Sequence, residues 1–320
     1  MTTDDIYEKW TISIDLKSTR IARNPSFVFL CGGPVSTNNG HFKSCRDFFY
    51  SHIKTSKRRY RDKVLLAEEV FNYFKHSAYK DLVCFERDLA ELSALTVIFS
   101  ESPGSIAELG SFAVLKPVQE KLFIVIHEDD AEKESFIWRG PVLHVNEVAK
   151  AQGKNNPVSV YNWRKALKDD DILTEEDFPD AEELEDAIEE FLSSLPKTQA
   201  FRKEQVGHVM LLMLDLLNVI LLATADEIIT CLKLLGINLK HPEVDQRLSL
   251  LTSLKLVVKK PYGHNVYYLT AHNRPWLNWG YAKSATVRDV ERWKLQFAEH
   301  YSKNIPRKMK AWKSYLKATA

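Results

Sequence analysis

The stretch Leu95–Ala113, LTVIFSESPGSIAELGSFA, decides how this chain is read. Its first six residues, Leu95 to Ser100, are a short apolar run of the kind that forms a buried strand. Pro103-Gly104-Ser105 breaks that strand, and SIAELGSFA re-enters a helix with Glu108 near its start. A strand leading into a small-residue turn at a helix N-terminus presents several backbone N–H groups and a partial positive charge. Gly104 allows a phosphate or a sugar to approach the main chain closely. Ser105 and Glu108 also match the capping-box pattern S-x-x-E, in which the two side chains only close the helix end. The local pattern leaves both readings open.

The rest of the first part repeats the theme. SFVFLCGG (Ser26 to Gly33) reads as a second buried strand ending in a Gly pair, and KLFIVIH (Lys121 to His127) as a third. GPVLHV (Gly140 to Val145) is expected to be a fourth. GHFKSCRDFFYSHI places Phe42, Cys45, Phe49 and Ile53 at helical spacing, and KVLLAEEVFNYF and DLVCFERDLAELSA read as two further helices. Apolar strands alternating with helices predict an α/β fold, a parallel sheet flanked by helices of Rossmann type. Ligands of such sheets sit outside the carboxyl ends of the strands. Gly32-Gly33 and the Pro103–Ser105 turn both fall at that edge.

Composition separates two parts. The net charge of +1 conceals 25 Lys+Arg against 34 Asp+Glu in residues 1–197, and 19 against 9 in residues 198–320. The second part is therefore expected to meet a polyanion, or the two parts to attract one another and neighbouring copies into higher oligomers. Between Lys168 and Glu190 stand 13 acidic residues and one basic. Leu184, Ala187, Ile188, Phe191, Leu192 and Leu195 follow a helical period there, so most of the run reads as an acidic helix. Pro196 ends it, giving a first domain at 1–197 and a second at 198–320.

The second part reads as three helices followed by a hairpin, VVKKPYGHNVYYLT, with Tyr262-Gly263-His264 at its tip. Thr224 and Glu227 have capping-box spacing and start the second helix. That order is the order of a winged helix-turn-helix domain. In it Gln246, Arg247, Ser249 and Ser253 would face a groove, with Lys259, Lys260 and His264 on the wing. In the basic tail, Trp293, Phe297 and Tyr301 share one helix face and are expected to pack. Lys303, Arg307, Lys308, Lys310 and Lys313 are expected to contact a polyanion.

The densest apolar run, Val209 to Ala225, is interrupted by Asp215 and Asn218 and reads as a buried helix rather than a membrane span. The first residues, MTTDDIYEKW, lack the basic start and apolar core of a secretory leader. Cys31, Cys45, Cys84 and Cys231 lack C-x-x-C spacing. A cytoplasmic location and no membrane contact are expected. His41, His127 and His144 have no partner at metal-ligand spacing, so no metal is expected. KRRYRDK (Lys57 to Lys63) is a basic patch that reads either as a phosphate-binding segment or as a solvated loop.

GSIAELGSFA after a strand, with FLCGG closing an earlier one, resembles the nucleoside deoxyribosyltransferase superfamily. More narrowly, the layout resembles the effectors of bacterial retrons, in which a deoxyribosyltransferase-like domain precedes a winged helix. The resemblance implies anti-phage defence beside a reverse transcriptase and its RNA–DNA hybrid as partners. It also implies cleavage of an N-glycosidic bond, with NAD the leading substrate rather than a cofactor. Glu108 would be the nucleophile or cation stabiliser, Gly104 and Ser105 would position ribose or phosphate, and Gly32 and Gly33 would line the opposite wall. Glu101 is either a second carboxylate orienting ribose hydroxyls or a solvated loop acid. Deoxyribosyltransferases carry an Asp a few residues before the turn, where this chain has Ser100-Glu101-Ser102; water is therefore the expected acceptor. The competing expectation is a DNA-binding regulator whose first domain senses a nucleotide without turning it over.

Overall fold

A computed structural model describes residues 3–22, 25, 27–36, 41–56, 63–131, 134–165 and 173–319. All but Lys63 of the basic patch at 57–63, and residues 168–172 of the acidic run, lie outside the described residues. The chain opens with helix α1 (Thr3–Thr11), strands β1 (Arg20–Ile21) and β2 (Val28–Cys31) and helix α2 (Cys45–Thr55). Strand β3 (Val64–Leu66), helices α3 (Ala67–Lys75) and α4 (Leu82–Leu92), strand β4 (Leu95–Ser100) and helices α5 (Pro103–Ala113) and α6 (Lys116–Gln119) follow. Next come β5 (Leu122–His127), α7 (Leu143–Ala151), β6 (Val158–Tyr161) and α8 (Ala181–Ser194). The remainder is β7 (Gln199–Ala200), α9 (Val206–Ile220), α10 (Ala225–Leu234), α11 (His241–Ser253), β8 (Val257–Tyr262), β9 (Asn265–Thr270), β10 (Leu277–Asn278), α12 (Val290–Asn304) and α13 (Pro306–Thr319).

These elements form two compact units. One comprises Pro25–Asn72 and Leu89–Pro196; the other comprises Met1–Asn24, Tyr73–Asp88 and Lys197–Ala320. The chain passes from one unit to the other at residue 197, but residues 1–24 and 73–88 pack with the C-terminal part. A nine-residue helix such as α1 carries no local mark of its partner; its buried Tyr7 and Trp10 find theirs in Phe297, 5.7 and 6.0 Å away between ring centroids.

The first unit is built on a five-stranded, wholly parallel sheet in the order β3-β2-β4-β5-β6. Every residue of β4 and β5 is buried, as a sheet covered on both faces requires. Each aliphatic or aromatic side chain so buried contributes about 1.5–3 kcal/mol relative to exposure. On one face of the sheet, α8 turns Leu184, Ile188 and Phe191 into the core, with Phe123 and Phe191 rings 5.7 Å apart. Phe178 stacks on Phe48 at 4.8 Å.

Two sequence expectations change here. Gly140–Val145 is not a strand: Trp138–Val142 forms a π-helical turn running into α7, and the strand that pairs beyond β5 is β6. Val142, Val145 and Ala149 are the buried residues of that run, at helical spacing, and Pro141 lacks the N–H that a central strand needs. The start of KVLLAEEVFNYF is the buried edge strand β3, and helix begins only at Ala67.

In the second unit, α9, α10 and α11 are followed by the antiparallel hairpin β8–β9, whose tip has Gly263 at φ +63°. Thr224 caps α10: its hydroxyl accepts from Glu227 N–H at 3.3 Å, and the Glu227 carboxylate accepts from Thr224 N–H at 2.8 Å. Asp215, inside the apolar α9, accepts from Trp276 and Leu277 N–H at 3.0 and 2.8 Å; burial pushes its carboxyl up to about 7. Trp293, Phe297 and Tyr301 of α12 are buried as one helix face, as their spacing predicts.

Lys308 departs from expectation. It is 1% exposed, and its ammonium donates to Tyr7 Oη at 2.8 Å and to the Glu227 carboxylate at 2.7 Å, lying 4.4 Å from the Tyr301 ring centroid. It ties α1, α10, α12 and α13 together from within instead of facing a polyanion. Arg247 is likewise buried, with one terminal nitrogen of its guanidinium lacking a hydrogen-bond partner. Leucines at 248, 250 and 251 draw α11 inward and take Arg247 with them.

Removing one partner of a buried ion pair strands the other. Lys308→Ala is expected to cost about 3–5 kcal/mol. Lys310→Ala, at an exposed position two residues on, should stay within about 0.5 kcal/mol of wild type. Urea unfolding followed by tryptophan fluorescence compares them, and equal midpoints would contradict the assignment of Lys308 to the core.

Candidate active site

The stretch after β4 does not form the capping box that Ser105 and Glu108 suggest. Ser102, not Ser105, is the N-cap of α5, in extended conformation with Pro103 as the first helical residue. Ser102 Oγ accepts from Ser105 N–H at 3.1 Å, and Ser105 Oγ accepts in return from Ser102 N–H at 3.0 Å and Glu101 N–H at 3.2 Å. The capping box is thus closed by two serines one turn earlier than S-x-x-E predicts. Proline favours the first helical position, and this fixes the start. Ser105 is fully buried, and its hydroxyl is committed to the turn. Glu108 is therefore free of any capping role.

Glu101 is not a solvated acid. Its carboxylate accepts from Gly33 N–H at 2.9 Å, Cys45 N–H at 2.8 Å and Arg46 N–H at 3.0 Å. Two of these donors are the first N–H groups of α2, so Glu101 fills the anion position that the helix N-terminus offers. Burial raises its carboxyl above the ordinary range, while the three backbone donors and the Arg46 charge act in the opposite sense. Ser44 caps the same helix, accepting from Asp47 N–H at 3.0 Å. Asp47 in turn accepts from Ser36 and Lys43 N–H at 2.8 and 3.0 Å.

The two glycines closing β2 are there for space. A Cβ on Gly33 would meet Ser44 Cβ at 2.6 Å and Glu101 Cγ at 3.2 Å; one on Gly32 would meet Arg46 Cβ at 2.8 Å, Arg46 Cδ at 2.9 Å and Phe99 Cβ at 3.0 Å. The close approach that they permit is between the chain's own elements. Gly104 is different. It is exposed in the first turn of α5, and a Cβ there would meet only Ser102 Oγ, at 3.8 Å.

Glu108 brings an unmet hydrogen-bond acceptor to the corner. Its Oε2 is buried and has no hydrogen-bond partner. On balance the Glu108 carboxyl is raised above its ordinary range: burial pushes it up most, a hydrogen bond from the Cys31 thiol and the charge of Arg46 oppose that, and Glu68 adds to it. Cys31 is fully buried at the end of β2, consistent with a packed residue next to Gly32. Sequence reading missed Arg46 and Glu68. The Arg46 guanidinium is buried, donates to the Gly33 carbonyl and to the Glu68 carboxylate, and reaches Leu30 O at 3.4 Å. The sequence signal was present as the CRD at the start of a helix that otherwise reads as apolar.

Of the cations expected to face a polyanion, Lys259, His264, Lys303, Arg307, Lys310 and Lys313 are exposed, whereas Arg247 and Lys308 are buried. Lys260 is half-buried, its ammonium 5.9 Å from the Tyr315 ring centroid. Gln246 and Ser253 are half-buried, and Ser249 Oγ accepts from Ala78 N–H at 3.1 Å. Asp88 is buried, accepting from Tyr79 Oη at 2.8 Å and from Arg87. His127 bonds the Trp163 carbonyl at 2.9 Å, and His144 bonds Gln119 at 3.0 Å. Among the described residues no cluster of His, Cys, Asp and Glu has the geometry of a metal site, and no helix is long and apolar enough to cross a membrane.

Residues 42–259 match the model of the family described as STM3845 retron effector protein. An Escherichia coli protein named "Retron Ec73 putative ribosyltransferase/DNA-binding protein" is 34% identical over 131 residues, which is 40% of this chain and 40% of that protein. A second, "Retron Ec86 putative ribosyltransferase/DNA-binding protein", also from Escherichia coli, is 29% identical over 116 residues, 36% of each chain. The matched segments thus span about two fifths of these relatives.

Substitutions at the two kinds of glycine should separate packing from approach. Gly33→Ala is expected to lose about 1–3 kcal/mol through overpacking. Gly104→Ala should hold or gain stability, by up to about 1 kcal/mol, because alanine is the better helix former. If Gly104→Ala also weakens nucleotide binding in calorimetric titration, the exposed turn is where a ligand meets the main chain; unchanged binding would contradict that role.

Proposed function

The chain belongs to the STM3845 retron effector family, and we propose that it is the toxic enzyme of an anti-phage retron, an N-glycosidase acting on a nucleotide, with NAD the leading substrate. The observation that supports this is the buried, unpartnered Oε2 of Glu108 at the carboxyl edge of a parallel sheet. An unmet carboxylate oxygen costs about 1–3 kcal/mol or more in a resting fold, and such a cost is repaid where a ligand meets it. The ribosyltransferase wording in the names of both relatives points to the same class of bond.

The chemistry follows from charge. Breaking the C1′–N bond leaves positive charge on C1′ and the ring oxygen, while the base departs with the bonding pair. A carboxylate facing C1′ either stabilises that cation or bonds to it as a glycosyl ester, which water then hydrolyses with release of one proton. The nicotinamide of NAD is already cationic and leaves neutral, so no proton donor is required. One ionised carboxylate suffices, and among the carboxylates of the corner Glu101 is already engaged by three N–H groups. Ser105 and Gly33 support the corner, and Gly104 with the first turn of α5 receives the sugar or phosphate. The exposed Lys259, His264 and Lys310 meet nucleic acid, and the reverse transcriptase with its RNA–DNA hybrid restrains or directs the activity. Attraction between acidic and basic parts of neighbouring copies supports assembly into higher oligomers.

Purified protein, with and without the partner complex, should release free base from NAD or another member of a nucleotide panel. Glu108→Gln should lower that release by at least about a thousandfold while leaving the unfolding midpoint near wild type. Equal release by the variant would refute the assignment, and binding without release by wild type would favour a nucleotide sensor. In parallel, Lys259→Ala and Lys310→Ala should each weaken DNA binding and reduce the salt dependence of log K by about one. An unchanged slope would remove these residues from the interface.

A further inference from the structure

Arg46 is a buried cation that the proposed reaction does not use, and its surroundings say what it does. Its stem lies across Gly32, where a Cβ would come within 2.8 and 2.9 Å of Arg46 Cβ and Cδ. Its guanidinium donates to the carbonyl of Gly33 and to Glu68, and its Nε is buried without a partner. Gly32 follows Cys31, whose thiol hydrogen-bonds Glu108. Arg46 and Glu108 are therefore anchored on adjacent residues at the end of one strand. The Arg46 backbone is in turn fixed by Glu101 at 3.0 Å. A buried guanidinium retains its charge at any working pH.

We propose that Arg46 is the positioning residue of this corner: pinned by Gly33, Leu30 and Glu68, its fixed charge favours the ionised form of the half-buried Glu108 aimed at the sugar. This rests on Glu108 as the group that faces C1′. The groups acting on Glu108 come from three elements: the Cys31 thiol from β2, Arg46 from α2 and Glu68 from α3. Burial alone would leave the carboxyl protonated at higher pH, and Arg46 opposes burial. Glu68 is half-exposed and tempers Arg46, so the two residues make opposite predictions.

The test is the pH at which Glu108 ionises, read in two ways. One is the acid limb of base release; the other is direct titration of the carboxyl in 13C-glutamate-labelled protein, as the difference between wild type and Glu108→Gln, which needs no turnover. Arg46→Met removes the cation and should move the midpoint up by about 1–3 pH units. Arg46→Lys keeps the cation and should leave the midpoint near wild type while raising KM. Glu68→Gln should move it down, by less, because Glu68 is partly screened by solvent. A midpoint unchanged in both Arg46→Met and Glu68→Gln would overturn the proposal. If Arg46→Met does not fold, the direction of the Glu68→Gln shift decides alone. If the midpoints move as stated while Glu108→Gln still releases base, the glycosidase reading fails and the role of Arg46 in favouring ionised Glu108 stands.

Discussion

Three backbone N–H groups converging on one buried carboxylate hold the candidate site together. Glu101 sits just beyond β4 and bonds Gly33 beyond β2 and the first turn of α2 at 2.8–3.0 Å. These are the ends of two adjacent strands and the start of the helix that follows one of them. A carboxylate in such a place is costly to desolvate, and only donors already fixed by the sheet and the helix compensate for it. Each part therefore requires the others. Gly33 has no side chain because Ser44 and Glu101 occupy the space, and Arg46 is directed across Gly32 because its own N–H is held.

That arrangement divides two carboxylates seven residues apart into different roles. Glu101 is held by three main-chain N–H groups and acts as a strut. Glu108 has a thiol on one side, a buried oxygen with no partner, and the field of a buried guanidinium. Environment rather than residue type sets these two carboxylates apart. The serine pair at 102 and 105 completes the separation, because it closes the helix end and leaves Glu108 out of that task.

Much of this was legible in the sequence. LTVIFS, LFIVIH and VFLC announced buried parallel strands, and the strand-turn-helix corner with Glu108 was visible from small residues and spacing. The acidic helix, the three-helix-plus-hairpin order and the Trp293–Phe297–Tyr301 face were visible from period and turn chemistry. What remained hidden depends on contacts between residues distant in sequence. Lys308 looks like any residue of a basic tail until Tyr7, 301 positions earlier, and Glu227 are placed around it. Arg247 looks exposed on a helix of mixed polarity, and Glu101 looks like a loop acid, for the same reason. GPVLHV was misjudged because a short apolar run fits strand and buried helix equally, and only Pro141 argued against the strand. Ser105 with Glu108 matched a local capping pattern, but Pro103 had already fixed the helix start at Ser102.

Whether Glu108 faces the anomeric carbon of a nucleotide is decided by locating that carbon. A crystal structure of Glu108→Gln in complex with the nucleotide that wild type consumes would do so. C1′ is expected within about 3–3.5 Å of the side-chain oxygen or nitrogen at position 108, with the sugar or phosphate against the first turn of α5. An anomeric carbon lying beyond the reach of that side chain, or a nucleotide seated elsewhere on the molecule, would contradict it.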